Sequence, residues 1–467
     1  MASFMRQHAA RWRVLLVLGE IILGVAALYL AVYLRYIGSA DPFAAYGSHV
    51  STLTRAVPFV LAILLGLTAL GLHQAHLRES WFGVLARQAV AFVLATIGLV
   101  VLYYLFPPIR IGRGVLVLAL SIAFVLMLAL RWAVARGIDV EALKRRVLVL
   151  GAGRRAATIV ERMRRRSDRR GFLLVGFVAQ PGDEVRVPSA QLIELGAPLV
   201  DWAQREDIDE IVAAVDDRRG GLPMDDLLAC RQAGIDITEI STFFERESGR
   251  LQLGLTDPSW LVFSDGFDAS PLRRASKRCF DLGIAAILLL LLWPLMLLTA
   301  IAIRLESKAG QPLLYRQVRV GEHGKPFLVN KFRSMRIDAE KDGVARWAQK
   351  NDDRVTRVGR FIRKTRLDEL PQLWNIARGD MSFIGPRPER PEFVAKLTNE
   401  IRYYGLRHSV KPGLAGWAQL RYPYGASVKD AEEKLKYDLF YVKNHNLLFD
   451  LMILIQTVEV VLFGRGR

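Results

Sequence analysis

Phe280–Ile303 reads FDLGIAAILLLLLWPLMLLTAIAI, an apolar run broken near its middle by Trp293-Pro294. It is long enough to cross a bilayer, which takes about 20 helical residues. Three features argue instead for a re-entrant helix, over about 279–305, that enters, bends and returns. Arg273, Arg274, Lys277 and Arg278 precede the run, and Arg304, Lys308, Arg316 and Arg319 follow it. Positive charge on both flanks puts both ends in the cytoplasm. Pro294 lacks an amide donor and clashes with the carbonyl of Leu290, so the helix kinks there. A crossing would also carry everything after Ile303 out of the cytoplasm. Carbonyls freed at the bend then need side chains or water as partners.

Upstream, apolar runs at Val14–Leu34, Val57–Leu72, Leu85–Phe106 and Ile111–Leu130 predict four transmembrane helices within 1–135. The second is short. Arg6, Arg11 and Arg13 precede the first run, and Arg131, Arg136, Lys144, Arg145 and Arg146 follow the fourth. Both ends of the bundle are therefore cytoplasmic. Glu20 lies inside the first run, without a second acid in these spans. An intramembrane acid is a functional candidate, but pairing with an arginine or a neighbouring helix is the favoured reading.

The chain has 467 residues, enough for two or three domains. Hydrophobic residues make up 52%, concentrated in a few runs, while 24% are charged. This composition describes a membrane protein with large aqueous parts. The net charge of +18 suits anionic lipid or phosphorylated substrates. No helix-turn-helix, zinc or RNA-binding signature supports nucleic acid as a partner. Cys230 and Cys279 form no metal or disulfide framework, as expected on a reducing face. The first apolar run is too long for a signal-peptide core, and no cleavage site follows it.

Residues 140–265 alternate strand and helix patterns. Arg146–Leu150 reads as a buried parallel strand. Gly151-Ala152-Gly153-Arg154-Arg155-Ala156 follows, a Gly-x-Gly-x-x-Ala turn that lets phosphate approach a helix N-terminus. Further strands are predicted at Phe172–Ala179, Ile208–Val215 and Ile235–Ile240, giving a small doubly wound, Rossmann-like (CoA-binding-like) domain. The nucleotide signal is weaker than the fold signal. Ala179-Gln180 stand where a ribose-binding acid is expected, and Asp183 and Glu184 come only after a Pro-Gly turn. A fold kept for packing, dimerisation or regulation is favoured over cofactor use, with Arg154 and Arg155 as anion holders in the alternative.

Residues 271–467 carry the chemistry in a mixed α/β catalytic domain. Lys331, Arg333 and Arg336 interleave with Phe332 and Met335. Arg363, Lys364 and Arg366 come just before Asp368-Glu369, and Arg387 stands between two prolines. Such fixed cations suit the clamping of phosphate oxygens. In Leu367-Asp368-Glu369-Leu370-Pro371-Gln372-Leu373 the two acids are flanked by apolar residues. On a helix they point about 100° apart and can serve different tasks. One carboxylate can attack phosphorus while its neighbour holds Mg²⁺, and nearby arginines keep both ionised. His323, His408 and His445 lack ligand spacing. Tyr403, Tyr404, Tyr422 and Tyr424 could line a pocket, but packing is their default role. The last apolar run, Leu447–Phe463, contains Asp450, Gln456 and Glu459, which favours an interfacial helix over a crossing.

Lys331–Met335, Asp368–Leu373, Ser382-Phe383-Ile384-Gly385-Pro386-Arg387-Pro388 and Lys411-Pro412-Gly413-Leu414-Ala415-Gly416-Trp417-Ala418-Gln419 resemble the bacterial sugar transferase family. These are monotopic polyprenyl-phosphate phosphoglycosyl transferases. The resemblance covers about 273–467, and the preceding spans and Rossmann-like domain resemble the large WbaP-like members. Phe243–Leu251 and Pro258–Phe267 resemble the exopolysaccharide subgroup. The resemblance implies transfer of a sugar 1-phosphate from a UDP-sugar to undecaprenyl phosphate, with release of UMP, at the cytoplasmic face of the bacterial inner membrane. It implies Asp368 as nucleophile, Asp368 and Glu369 as the Mg²⁺ site, and Lys331, Arg333, Arg363 and Arg387 as phosphate contacts. Lys277 and Arg278 match basic residues at the membrane surface. The family's helix break is usually Ser-Pro; here Trp293 precedes Pro294. Glucose, galactose and N-acetylated sugars all stay open, and the middle domain is a candidate homodimer contact. Two rivals remain. A membrane-anchored nucleotide-sugar dehydratase or epimerase would need Tyr-x-x-x-Lys, which occurs nowhere in the chain. A polysaccharide-assembly scaffold would not need the acid pair with its basic surround.

Overall fold

The computed structural model describes residues 2–46, 51–73, 81–137, 144–163, 169, 171–216, 222–254, 266–267, 270–308, 310–337, 354–423, 425 and 427–463. The side chains of Arg6, Arg11, Arg13, Arg136 and Glu459, residue Tyr424 and the stretch 258–265 lie outside the described residues. The chain divides into two compact units, Met1–Ser248 and Gly249–Arg467.

The first unit opens with long helices at Ala2–Arg35, Thr52–Ala69, Trp81–Leu105 and Arg113–Gly137. Three of them hold stretches long and apolar enough to cross a membrane: Val14–Arg35, Gly83–Leu105 and Arg113–Val134. The second expected span differs. Ser51 caps the helix start through the Thr54 amide, and the chain turns at Gly71 with a φ of 68°. The helix therefore ends at Ala69, and its apolar part, Thr52–Thr68, is shorter than the other three. Glu20 is fully buried, as an interhelix partner would be. It pairs with Arg131 on the fourth helix and accepts from His73 Nε2 at 2.7 Å, while Arg131 also donates to the Leu72 carbonyl at 2.8 Å. The acid thus ties two helices to the turn that follows a third.

The same unit contains a parallel sheet of β1 (Arg145–Leu150), β2 (Phe172–Val178), β3 (Glu210–Ala213) and β4 (Asp236–Glu239), in the order β2-β1-β3-β4. Val147–Leu150 are almost completely buried, which is why the central strand reads as an unbroken apolar run. After β1, the helix Arg154–Arg162 begins at Gly153. Its free amides are not open to a phosphate. Asp216 accepts from the Arg154 and Arg155 amides at 2.7 and 2.8 Å, and Asp183 accepts from the Ala152 amide at 2.8 Å. A Cβ on Gly153 would stand 2.4 Å from the Asp216 carboxylate, so the glycine is explained by an internal anion.

The second unit is built on the helix Pro271–Glu306, which continues through Pro294. Ala285 packs with Leu373, Ile376 and Ile453, whereas Ile303 packs with Phe332 and Ile362. Between them, Leu290, Leu291, Trp293, Leu297 and Leu298 are exposed. β5 (Leu314–Val320) and β6 (Pro326–Phe332) form an antiparallel hairpin. β7 (Ser382–Ile384) runs parallel to β8 (Gly413–Ala415). These two segments touch backbone to backbone: a Cβ on Gly413 would lie 2.1 Å from the Gly385 amide nitrogen. The closing helix, Leu447–Phe463, turns Asp450 inward to Lys277 and Tyr441, so this acid faces neither lipid nor water.

Replacing Asp216 by alanine uncaps two helix amides. The expected cost is about 1 kcal/mol, read as a fall of a few degrees in the thermal unfolding midpoint of the full-length protein. An unchanged midpoint would refute the capping role.

Candidate active site

The two adjacent acids sit on a 3-10 turn, Leu367–Glu369, entered through Arg366 at a left-handed φ of 62°. A non-glycine residue in that region is uncommon and strained. Glu369 lines a cleft with Tyr315, Gln317, Lys331 and Arg387, whereas Asp368 is not part of that lining.

Three cations converge on one oxygen of Glu369. Lys331 Nζ donates to Oε1 at 3.0 Å, and Arg366 and Arg387 stand 3.8 Å from the same atom. Burial alone would raise the Glu369 pKa, but Lys331, Arg387 and Arg366 outweigh it and hold it down to about 2. Asp368 behaves in the opposite way. It is buried, and among the described residues its Oδ1 has no hydrogen-bond partner. Burial, then the neighbouring Glu369, push its pKa up, against the pull of Lys331, Arg363 and Arg366. One acid is held in its charged form by three cations; the other is desolvated. The cations lower the Glu369 pKa more than they offset the rise at Asp368, because they are not shared equally.

The loop that carries Arg387 is fixed through its backbone. The Ile384 carbonyl accepts from Tyr441 at 2.9 Å and Lys277 at 3.3 Å. The Arg387 carbonyl accepts from Arg407 at 3.0 Å, and the Pro388 carbonyl from Arg319 at 3.1 Å. Arg407 is itself buried against Asp438, with its Nε and Nη2 at 3.1 and 2.8 Å from one carboxylate oxygen. The chain direction at Arg387 is therefore set by cations that none of the motifs contain.

The other expected phosphate contacts are distributed. Arg363 lies within electrostatic reach of Asp368. Arg333 turns to Gln311 and to Ser307, at the end of the long helix. Lys277 pairs with Asp450 at 2.7 Å and Asp281 at 3.7 Å, and Arg278 donates at 2.6 Å to the carbonyls of both Ile376 and Ala377. These two residues lock the long helix onto its neighbours. Tyr404 is buried against Arg407, and Tyr422 bonds Asp430, so packing accounts for both. Sequence reasoning passed over Tyr315, Gln317 and Arg319, whose alternate spacing along β5 puts them on one face. Among the described residues no group of three metal-binding side chains occurs.

The Arg407–Asp438 pair gives a stability test. Asp438→Leu leaves a buried guanidinium without its counterion, an expected loss of about 3–5 kcal/mol. Arg407→Met combined with Asp438→Leu should recover most of it in thermal unfolding. Additive losses would mean that the two groups do not act as a pair.

The family model described as bacterial sugar transferase matches residues 272–464. A UDP-N-acetylgalactosamine-undecaprenyl-phosphate N-acetylgalactosaminephosphotransferase of Aeromonas hydrophila is 41% identical over 240 residues, 51% of this chain and 55% of that protein. An undecaprenyl-phosphate glucose phosphotransferase of Komagataeibacter xylinus is 33% identical over 365 residues, 77% of this chain and 66% of its own length. A UDP-glucose:undecaprenyl-phosphate glucose-1-phosphate transferase of Caulobacter vibrioides is 43% identical over 188 residues, 40% of this chain and 69% of that protein. The chain spans 55% and 66% of the first two, less than two thirds of either.

Proposed function

The chain belongs to the bacterial sugar transferase family, and on that premise we propose that it transfers a sugar 1-phosphate from a UDP-sugar to undecaprenyl phosphate, releasing UMP. The observation that carries this reading is the division of labour between Asp368 and Glu369. An Asp368 oxygen attacks the sugar-bearing phosphorus, the bond to the UMP oxygen breaks, and UMP leaves with the electron pair. The phosphosugar-aspartate is then attacked by an oxygen of undecaprenyl phosphate, which expels the carboxylate and regenerates Asp368. A buried carboxylate oxygen without a hydrogen-bond partner suits this task, since no bond has to break before attack. Lys331 and Arg387 border the cleft where a diphosphate would lie, and Arg363 and Arg366 are the cations on the Asp368 side.

The two carboxylates also fit Mg²⁺, which is commonly held by one or two carboxylates plus substrate phosphates. Asp368 Oδ1 is unpartnered, and only one oxygen of Glu369 is taken up by Lys331. Glu369 and Asp368 would hold the ion, which when bound offsets negative charge on the diphosphate and the leaving group.

The proposed re-entrant course of Pro271–Glu306 is supported by its two anchors. Near its start, Arg278 donates to the Ile376 and Ala377 carbonyls; at its end, Glu306 accepts from the Arg357 and Val358 amides at 2.8 and 3.2 Å. Both partners belong to one short run of chain, 357–377, that contains the acid pair. A straight crossing would put a hydrocarbon layer about 30 Å thick between the two anchors. The exposed leucines around Trp293 suit a helix whose middle alone is in lipid. This course puts the acids at the headgroups, within reach of a soluble donor and a lipid acceptor, on the cytoplasmic side of the inner membrane. The parallel sheet of the first unit, read as Rossmann-like, has its phosphate turn filled by Asp216 and Asp183, which favours a packing role over a cofactor.

The test is UMP release by purified protein in undecaprenyl-phosphate-containing nanodiscs, across a panel of UDP-sugars that includes glucose and N-acetylgalactosamine. Sustained turnover should need the acceptor, with at most one UMP per site without it. Asp368→Asn should lower the rate at least about a thousandfold; full activity in that variant would remove the nucleophile assignment. The pH profile supplies a second check. Attack needs ionised Asp368, so activity is full above its raised pKa and falls as pH drops through it, while Glu369 stays charged. Glu369→Gln removes a negative neighbour, so its residual activity should show the acid limb at lower pH. A limb that stays in place would detach it from Asp368.

A further inference from the structure

The cleft lining holds four charged side chains, Arg319, Lys331, Glu369 and Arg387, and two neutral amides, Gln317 and Gln372. Gln317 is the amide whose orientation a neighbour fixes. It stands on β5 between Tyr315 and Arg319, and across the hairpin it faces Val329, two pairs along from the Tyr315–Lys331 pair. Residues 315, 317 and 319 all line the cleft, as alternate strand positions should.

The orientation of its amide follows from its neighbour. Arg319 Nη2 donates to Gln317 Oε1 at 2.6 Å. A guanidinium has five donors and no acceptor, so only the carbonyl end of the amide can face it. Arg319 is not free to turn away: it also donates to the Pro388 carbonyl at 3.1 Å and stands 3.7 Å from Glu389. The amide is thereby locked with its NH₂ group on the other side. Among the described residues, that NH₂ donates to nothing.

A fixed pair of neutral donors beside four charged side chains has a specific use. The diphosphate of the proposed donor is matched by Lys331 and Arg387. The rest of that molecule is uncharged and carries acceptor oxygens, on the uracil and ribose at one end and on the sugar at the other. Recognition of such atoms falls to a few well-placed polar groups. We propose that Gln317 is a donor-recognition residue: its amide N–H groups bind a neutral carbonyl or hydroxyl oxygen of the UDP-sugar, held in that orientation by Arg319. This rests on the function proposed above.

Gln317→Met removes the donors without adding charge. With UMP release as the readout, KM for the UDP-sugar should rise about tenfold, the loss of one neutral hydrogen bond to a bound ligand. KM for undecaprenyl phosphate and inhibition by inorganic pyrophosphate should not move. A merely structural role, propping Arg319 and through it the Arg387 loop, would weaken pyrophosphate inhibition as well. UDP as inhibitor separates the two sources of the acceptor oxygen. Weaker UDP inhibition puts it on the uridine, and unchanged inhibition puts it on the sugar. An unaltered KM in Gln317→Met, with an active wild type, overturns this inference and leaves the function standing. So does a parallel loss of pyrophosphate inhibition. A wild type inactive with every UDP-sugar overturns both.

Discussion

The convergence of Lys331, Arg366 and Arg387 on a single oxygen of Glu369 is the interaction from which the rest of the site follows. Two neighbouring carboxylates in one partly buried place repel each other, and a site that treated them alike would leave one of them protonated. Here the cations are spent almost entirely on Glu369. Asp368 keeps the electrostatic benefit of Lys331, Arg363 and Arg366 at longer range, without any hydrogen bond to break. Both acids sit on the 3-10 turn, where Glu369 lines the cleft and Asp368 is buried beside it.

The cleft in turn depends on groups that hold backbone rather than substrate. Lys277, Arg407 and Arg319 each donate to a carbonyl between Ile384 and Pro388, and each is balanced by a nearby acid: Asp450, Asp438 and Glu389. Three segments far apart in sequence thus specify one loop. Lys277 adds a further constraint, because it belongs to the long apolar helix. The depth of that helix in a bilayer and the course of the Arg387 loop are mechanically one variable. Any shift of the helix along its axis would be felt at the Ile384 carbonyl.

Much of this was legible in the sequence, and the failures have physical causes. The four strands of the parallel sheet were found because buried parallel strands read as plain apolar runs bounded by turns. The acid pair and Arg387 stood out because fixed charge among apolar residues and prolines is rare. Lys277 was read as a membrane-surface cation, since its partners Asp281 and Asp450 are separated in the chain and only Asp281 lies at helical spacing. Asp450 was read as an acid that keeps a helix at the interface, whereas it is buried in an ion pair and says nothing about depth. Arg319 and Gln317 were missed although period-two spacing was there to see. Arg319 had been counted as one more positive charge flanking the apolar run. The second membrane run was drawn too far toward its C-terminus, because hydropathy does not register the left-handed turn at Gly71.

The chain contains two places suited to phosphate, and it treats them differently. The turn after β1 has the glycines, the helix N-terminus and the free amides of an anion site, yet Asp216 and Asp183 occupy those amides. An internal carboxylate at a helix start is always present at its binding site, so a free anion must displace it and leave it desolvated. The cleft beside Glu369 is built the other way. Lys331, Arg366 and Arg387 all converge on one oxygen of its acid, and Glu369, Lys331 and Arg387 line the cleft. A motif read by residue type alone ranks these two places equally. Asking which group already fills each place separates the two, and this supports the phosphate chemistry proposed for the second unit.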